Sequence, residues 1–444
     1  MSKRDEWEVV TDKTDEKLEI THEEPKDRFY GIYVIFFFIG IGTLLPWNFF
    51  ITADSYFKYQ LRNRSLLVNE NPLAPEHRTN EQKMFANNIA LCTMIPLAFT
   101  NFANLILKEY LSAPIRVFSS SLLVLCMFII TVILTKVTVE TFTFFVVTLA
   151  SVVFINIGSS IVQGSTYGIL SMLPASNARG YLEGQAVAGI TAAVANLITI
   201  SVSADWTNVG FIYFLVAVFI ISLTFILFIL LFRSKYYKFY IRRATAKAVE
   251  TTSQHGCAQL RLTIRNLFKA MWDVRITGVC VFVVFTVTLS IYPSMLLLIV
   301  PNDYSKSSLW KSTYFIPVSV FLSFNVCDYI GRALVALCKW PKISQKKLLL
   351  AICVIRAVLI PLTMFLNQQP RQNLPSVFIH EAFPIILIIL LGLTNGYLMS
   401  LCVTYAAQSA PEASKESCGI ATATYVSFGL CIGVAISYGL VAAI

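Results

Sequence analysis

The sequence predicts an all-α, polytopic membrane protein with eleven transmembrane helices. Three observations carry that prediction. Of 444 residues, 56% are hydrophobic and only 14% charged, with a mean hydropathy of +0.67, far too apolar for a soluble chain of this size. Apolar runs recur that reach the roughly 20 residues a helix needs to cross a bilayer. One of these runs, residues 318–337, keeps two charges inside it, Asp328 and Arg332. A charge at mid-membrane depth costs about 2.5–3.5 kcal/mol on insertion scales, so such residues are rare and mark functional positions.

The elements follow in order. Residues 1–29 form a polar tail with ten acids, which is no signal peptide. The first span covers about 30–55 and is followed by a polar loop, 56–83. Spans follow at about 84–107, 117–135, 141–172, 182–204 and 209–232, the fourth being long enough to tilt. A basic loop, 233–275, separates these six from five more at about 276–298, 313–338, 348–366, 382–408 and 418–442. The chain thus divides into bundles 30–232 and 276–444. Pro46, Pro96, Pro293, Pro317, Pro361 and Pro384 fall within spans, where each removes a backbone donor and can kink its helix. Small residues recur four apart at Gly164/Gly168, Gly392/Gly396 and Gly429/Gly433. That spacing lets helix backbones approach closely, and static packing is its simplest reading.

An odd span count puts the termini on opposite sides. Lys and Arg concentrate in the tail and above all in 233–275, and basic loops favour the cytoplasm, which predicts a cytoplasmic N-terminus and an extracellular C-terminus. Asn63-Arg64-Ser65 is a glycosylation sequon in the loop this topology places outside. The net charge of +10 comes mostly from loops and is no nucleic-acid signal. Most of the ten cysteines lie in apolar runs (Cys92, Cys126, Cys280, Cys327, Cys338, Cys353, Cys402, Cys431), with no CxxC and no Cys/His cluster in sequence. The expectation is therefore no metal site, no cofactor and no disulfide framework. His22, His77, His255 and His380 lie in loops or at span ends, so a membrane enzyme is disfavoured.

Asp328 and Arg332 are four apart, share a helix face and can pair. A polar site inside a membrane bundle points to a solute pathway; the alternative is a pin between helices. Asn325 lies on the same face, one turn earlier. Gln163 offers donor and acceptor groups within its span. Trp47, with Leu44 three residues away, can cover a flat solute face. Arg356 is the other intramembrane base, able to face a cavity or to snorkel. Arg116 and Glu416 sit at the cytoplasmic ends of spans three and eleven, able to form an inner gate or to remain solvated charges.

Gly40-Ile-Gly-Thr-Leu-Leu-Pro-Trp-Asn-Phe-Phe50 resembles the first span of the equilibrative nucleoside transporters. Gln163-Gly-Ser-Thr-Tyr-Gly168 resembles that family's fourth span and Gly184-Gln-Ala-Val-Ala-Gly189 its fifth. Phe324-Asn-Val-Cys-Asp-Tyr-Ile-Gly-Arg332 resembles its eighth, and Thr394-Asn-Gly-Tyr-Leu-Met-Ser-Leu-Cys402 its tenth. The five motifs come in order and span about Arg28 to Ile444.

The resemblance implies a major-facilitator-like 6+5 arrangement and sodium-independent movement of nucleosides, in some members nucleobases, down their gradient. Asp328 would then accept hydrogen bonds from ribose hydroxyls, and Arg332 would neutralise it and donate to sugar or base. Gln163 would meet the base edge. The resemblance extends the apolar wall to Met94, Leu97, Tyr292, Phe321 and Leu430. Tyr292 and Ile51 sit where the family varies, which leaves inhibitor sensitivity and base preference open, and Ser159, one turn before Gln163, is a further position able to tune them. One alternative is a proton-coupled carrier of nucleosides, nucleobases or organic cations with Asp328 titrating, although pairing to Arg332 favours the charged carboxylate. Another is a membrane receptor or scaffold. No acidic dileucine signal is evident near the N-terminus, so the plasma membrane is the default location.

Overall fold

A bilayer core offers no hydrogen-bond partners, so every spanning segment must satisfy its own backbone, which a helix does. The computed structural model describes residues 27, 30–62, 79–203, 205–249, 265, 268–302, 308–371, 373–409 and 415–444, with Glu416 described as backbone only. The long helices of the first half are α1 (Gly31–Thr52), α3 (Asn80–Tyr110), α4 (Ala113–Lys136), α5 (Thr141–Ser171), α6 (Ala175–Val202) and α7 (Trp206–Arg233). Short α2 (Asp54–Gln60) follows α1, and amphipathic α8 (Lys235–Val249) follows α7. The second half holds α9 (Arg275–Ile291), α10 (Ser323–Leu337), α11 (Lys346–Ile355), α12 (Leu359–Met364), α13 (Ala382–Ser409) and α14 (Lys415–Ala443).

Ten helices among the described residues are long and apolar enough to cross a membrane. The expected second span is a helix too, α3. Asn87, Asn88, Thr93, Asn101 and Asn104 lie within it. Several of these polar groups are met by neighbours: Ser437 donates to Asn87 at 3.1 Å and Asn156 to Thr93 at 3.2 Å. A capping box starts α3, Thr79 Oγ1 accepting from Gln82 N and Gln82 Oε1 from Thr79 N.

Three boundaries differ from the sequence reading. The expected polar loop 56–83 begins as helix, because Tyr56 and Phe57 of α2 are buried in an aromatic cluster with Phe50 and Phe214. The span expected over 276–298 leaves the α-helix at Ile291, with Tyr292 extended as suits a residue before proline. A single turn, Leu296–Leu298, follows. The span over 348–366 is divided by a tight turn, Arg356–Val358. Residues 310–322 lead into α10 in wide π-turns around Pro317, and Ser323 Oγ donates to the Val318 carbonyl there at 2.9 Å.

The two halves pack by the same rule. The first long helix pairs with the fifth, α1 with α6 and α9 with α14; the second pairs with the fourth, α3 with α5 and α10 with α13. The halves meet where α3 lies on α14 and α6 on α10. The spaced glycines serve these contacts. A methyl on Gly396 would strike the Asp328 carbonyl, and one on Gly433 would press on that of Thr286. A methyl on Gly164 would strike the Asn104 amide, whereas one on Gly168 would meet nothing within 4 Å among the described residues.

Candidate functional site

One face of α10 and its lead-in presents Phe321, Asn325, Asp328 and Arg332, spaced four, three and four apart as helical geometry requires. Asp328 is buried at 7% exposure. Its Oδ2 accepts from Arg332 Nε at 2.8 Å, so the expected pair forms. Its Oδ1 accepts from Asn395 Nδ2 of α13 at 2.6 Å, and Thr288 of α9 donates to Asn395 Oδ1 at 2.6 Å. Four residues from three helices thus form one chain of polar contacts. Each carboxylate oxygen has a second lone pair, so Asp328 can still accept from a ligand.

Tyr292 ends α9 and stacks on Phe324 with ring centroids 4.0 Å apart and planes at 14°. Phe321 meets Tyr292 edge-on at 6.1 Å. The Tyr292 hydroxyl is buried without a hydrogen bond among the described residues. Asn325 donates to the Phe321 carbonyl at 2.8 Å, and its amide fills the space against Gly189 of α6, so a contact between the halves runs through it.

Trp47, Met94, Leu97 and Leu430 come from α1, α3 and α14 and pack in one cluster with Ala90, Leu289 and Val434. Trp47 also joins the main core with Leu44, Tyr292 and Phe321, so it links the two apolar groups. Ile51 is buried in that core.

Gln163 is half-buried and makes no hydrogen bond among the described residues. Ser159 lies elsewhere. It lines a void between α1, α4, α5 and α7 that holds about 20 Å³, room for one water, and its hydroxyl has no protein partner among the described residues.

Arg356 does not snorkel. It is 5% exposed and donates to Thr394 Oγ1 (2.8 Å), the Val284 carbonyl (2.7 Å) and the Leu391 carbonyl (2.9 Å). It ties its own segment to α9 and α13 with no carboxylate in contact among the described residues. Arg116 is likewise buried, donating to Asn104 Oδ1 at 2.5 Å while its Nε is unpartnered among the described residues. The Glu416 side chain and Asn63 lie outside the described residues.

The cysteines form no cluster in sequence, yet Cys280, Cys353 and Cys402 meet, because α9, α11 and α13 pack together.

At one end of the bundle the two halves are tied together. Lys58 of α2 pairs with Asp54 at 2.7 Å and donates to the Leu297 carbonyl beyond α9 at 3.2 Å. Met295 to Ile299 are all buried, and Gln368 donates to the Met295 carbonyl at 2.9 Å.

Asn395, Thr288 and the cysteine triad escaped sequence reasoning. Asn395 had a signal, being an uncharged polar residue deep in an apolar run beside Gly396, whereas Thr288 and the cysteines had none.

Known proteins resemble this chain in sequence and in fold. A family profile described as nucleoside transporter matches residues 149–442. Human equilibrative nucleoside transporter 1 is 32% identical over 94% of this chain and 98% of its own length. Human equilibrative nucleoside transporter 2 is 28% identical over the same shares. Equilibrative nucleotide transporter 1 of Arabidopsis thaliana is 26% identical over 94% and 88%. Among solved structures, the nucleoside transporter NupG superposes with a TM-score of 0.51 at 12% identity over 92% of this chain and 90% of its own. A POT family transporter in complex with 5-aminolevulinic acid gives 0.56 at 12% over 93% and 91%. These structures share the fold, a polytopic helical transporter architecture. With five ordered motifs, a matched profile and a relative alike along nearly its whole length, the chain belongs to the equilibrative nucleoside transporter family.

Proposed function

We propose that this protein carries nucleosides across a membrane down their gradient, without sodium, by alternating access. The observation that carries this reading is Asp328, a buried intramembrane carboxylate engaged by Arg332 and Asn395 beside the Tyr292–Phe324 stack. Ribose hydroxyls suit the remaining lone pairs of Asp328, and a base suits the apolar group around Trp47. In this reading Leu44, Trp47, Met94, Leu97, Gln163, Tyr292, Phe321, Asn325, Asp328, Arg332 and Leu430 contact the substrate. Purine and pyrimidine nucleosides are the substrates, with nucleobases as further candidates.

The same proposal sets the organisation. The chain makes eleven spans, with α3 as the second, in bundles 30–232 and 276–444 that rock about the seams α3–α14 and α6–α10. The tail 1–29 and the basic loop 233–275 are cytoplasmic, the loop 56–83 and the C-terminus extracellular, and the membrane is the plasma membrane. The Nε of buried Arg116, unpartnered among the described residues, supports a gate contact with Glu416.

Radiolabelled uridine and adenosine uptake in a transporter-deficient cell tests this reading, with sodium removed and pH varied. Saturable uptake in both directions that ignores sodium is expected. Concentrative uptake that collapses with a protonophore would instead make the protein proton-coupled, and ligand binding without uptake would make it a receptor.

A further inference from the structure

The thiols of Cys280, Cys353 and Cys402 lie within 4.8 Å of one another. All three residues are fully buried, and each comes from a different helix, α9, α11 and α13. Their surroundings are apolar, with Val281, Val284, Leu349, Leu398 and Leu401 in the same cluster. Three sulphurs about 2.3 Å from one ion in a plane sit roughly 4.0 Å apart, so closing on an ion asks each to move by no more than about half an ångström. A second observation concerns charge. Arg356 follows Cys353 by one turn, is buried, and bonds only to two carbonyls and a hydroxyl. A cation so deep in the protein has no contacting anion to offset it among the described residues, and buried charges are ordinarily paired.

We propose that Cys280, Cys353 and Cys402 form a buried three-thiolate site for a soft divalent d10 ion. Binding is an exchange of protons for metal: M²⁺ + 3 R–SH gives [M(SR)₃]⁻ + 3 H⁺, with three M–S bonds formed and three S–H bonds broken. The product carries one negative charge, which Arg356 offsets. Thiolates select soft metals over calcium or magnesium, which prefer oxygen. An ion here staples α9, α11 and α13, and two of these helices supply the Thr288 and Asn395 that hold Asp328. Occupancy therefore arrests the helices around the polar chain.

Cadmium is the probe, added to the full-length protein in detergent. X-ray absorption at the cadmium edge is expected to show three sulphur neighbours at one ion per chain. The ultraviolet thiolate-to-cadmium band reports affinity, expected to fall more than about 100-fold in Cys353→Ala and to persist in Cys126→Ser, a change at an exposed cysteine. Where one variant fails to fold, Cys280→Ala and Cys402→Ala read the same site. Coordination by oxygen or by two sulphurs in the unaltered protein overturns the proposal. So does a band of full strength in any folded variant that lacks one of the three thiols.

Discussion

Asn395 donates to Asp328 across the contact between α13 and α10 at 2.6 Å. The carboxylate is thereby held from two directions, by a neutral amide on one helix and by Arg332 on its own. Gly396, next to Asn395, lets the two backbones come close enough for that bond. Packing and polar chemistry are one device here: the small residue sets the separation and the amide uses it.

The first prediction concerns Asn395. Asn395→Ala strands one oxygen of a buried carboxylate, and an unmet buried acceptor costs about 1–3 kcal/mol, more when charged. Uridine uptake per molecule at the surface is expected to fall at least tenfold. Uptake equal to that of the unaltered protein would show that this bond does not order the site.

Asp328→Asn keeps the shape and removes the charge. Deleting either partner outright leaves the other buried and unpaired at a cost of roughly 3–5 kcal/mol, so Asp328→Ala and Arg332→Ala should abolish transport and lower surface levels as well. If Asp328 holds ribose hydroxyls, Asp328→Asn weakens ribosides more than nucleobases or deoxy analogues lacking those hydroxyls. Equal losses for every solute, tracking surface expression, would make the pair structural.

Gly189 tests the seam between the halves. Its missing side chain makes room for the Asn325 amide, and overpacking such a contact costs about 1–3 kcal/mol. Gly189→Ala is expected to reduce transport roughly tenfold while protein still reaches the surface. Adding Asn325→Ala should restore part of it if the clash is the cause. No recovery in the double variant would mean that Asn325 itself is needed, or that Gly189 acts elsewhere.

The sequence makes legible whatever lies along one helix. Asp328 and Arg332 pair because four residues bring side chains onto one face, and the apolar runs announce the spans because lipid demands them. What depends on two helices meeting is hidden. Thr288 looks like any threonine in a span until Asn395 arrives from α13. Cys280, Cys353 and Cys402 are dispersed in sequence, so spacing rules for metal ligands pass over them. The polar contacts of α3 are hidden in the same way: Ser437 reaches Asn87, and Asn156 reaches Thr93, from other helices. Ser159 lies one turn from Gln163 in sequence, and it lines a void between α1, α4, α5 and α7 that only their packing reveals.

Topology has its own test. Asn63→Gln is expected to raise gel mobility as much as glycosidase treatment does, and antibody should reach a tag after Ile444 on intact cells. A tag detected only after permeabilisation would reverse the orientation.

The tie between the halves makes the last prediction. Lys58 binds Asp54 and the Leu297 carbonyl together, so α2 of the first half holds the chain that follows α9 in the second. Removing Lys58 alone would strand Asp54, which is buried. The double change Asp54→Asn with Lys58→Met removes both charges and the bond to Leu297. A hydrogen bond from a charged donor contributes about 1.5–3 kcal/mol, and every 1.4 kcal/mol is about tenfold in a population. Opening at this end should therefore become at least tenfold more frequent. Ser294 is buried beside Met295, so Ser294→Cys reports that opening through its labelling by a membrane-impermeant maleimide, read against the same chain without the added cysteine. The double change is expected to speed that labelling at least tenfold. An unchanged rate would mean that the buried run from Met295 to Ile299 seals the end by packing alone, and that Lys58 holds no gate.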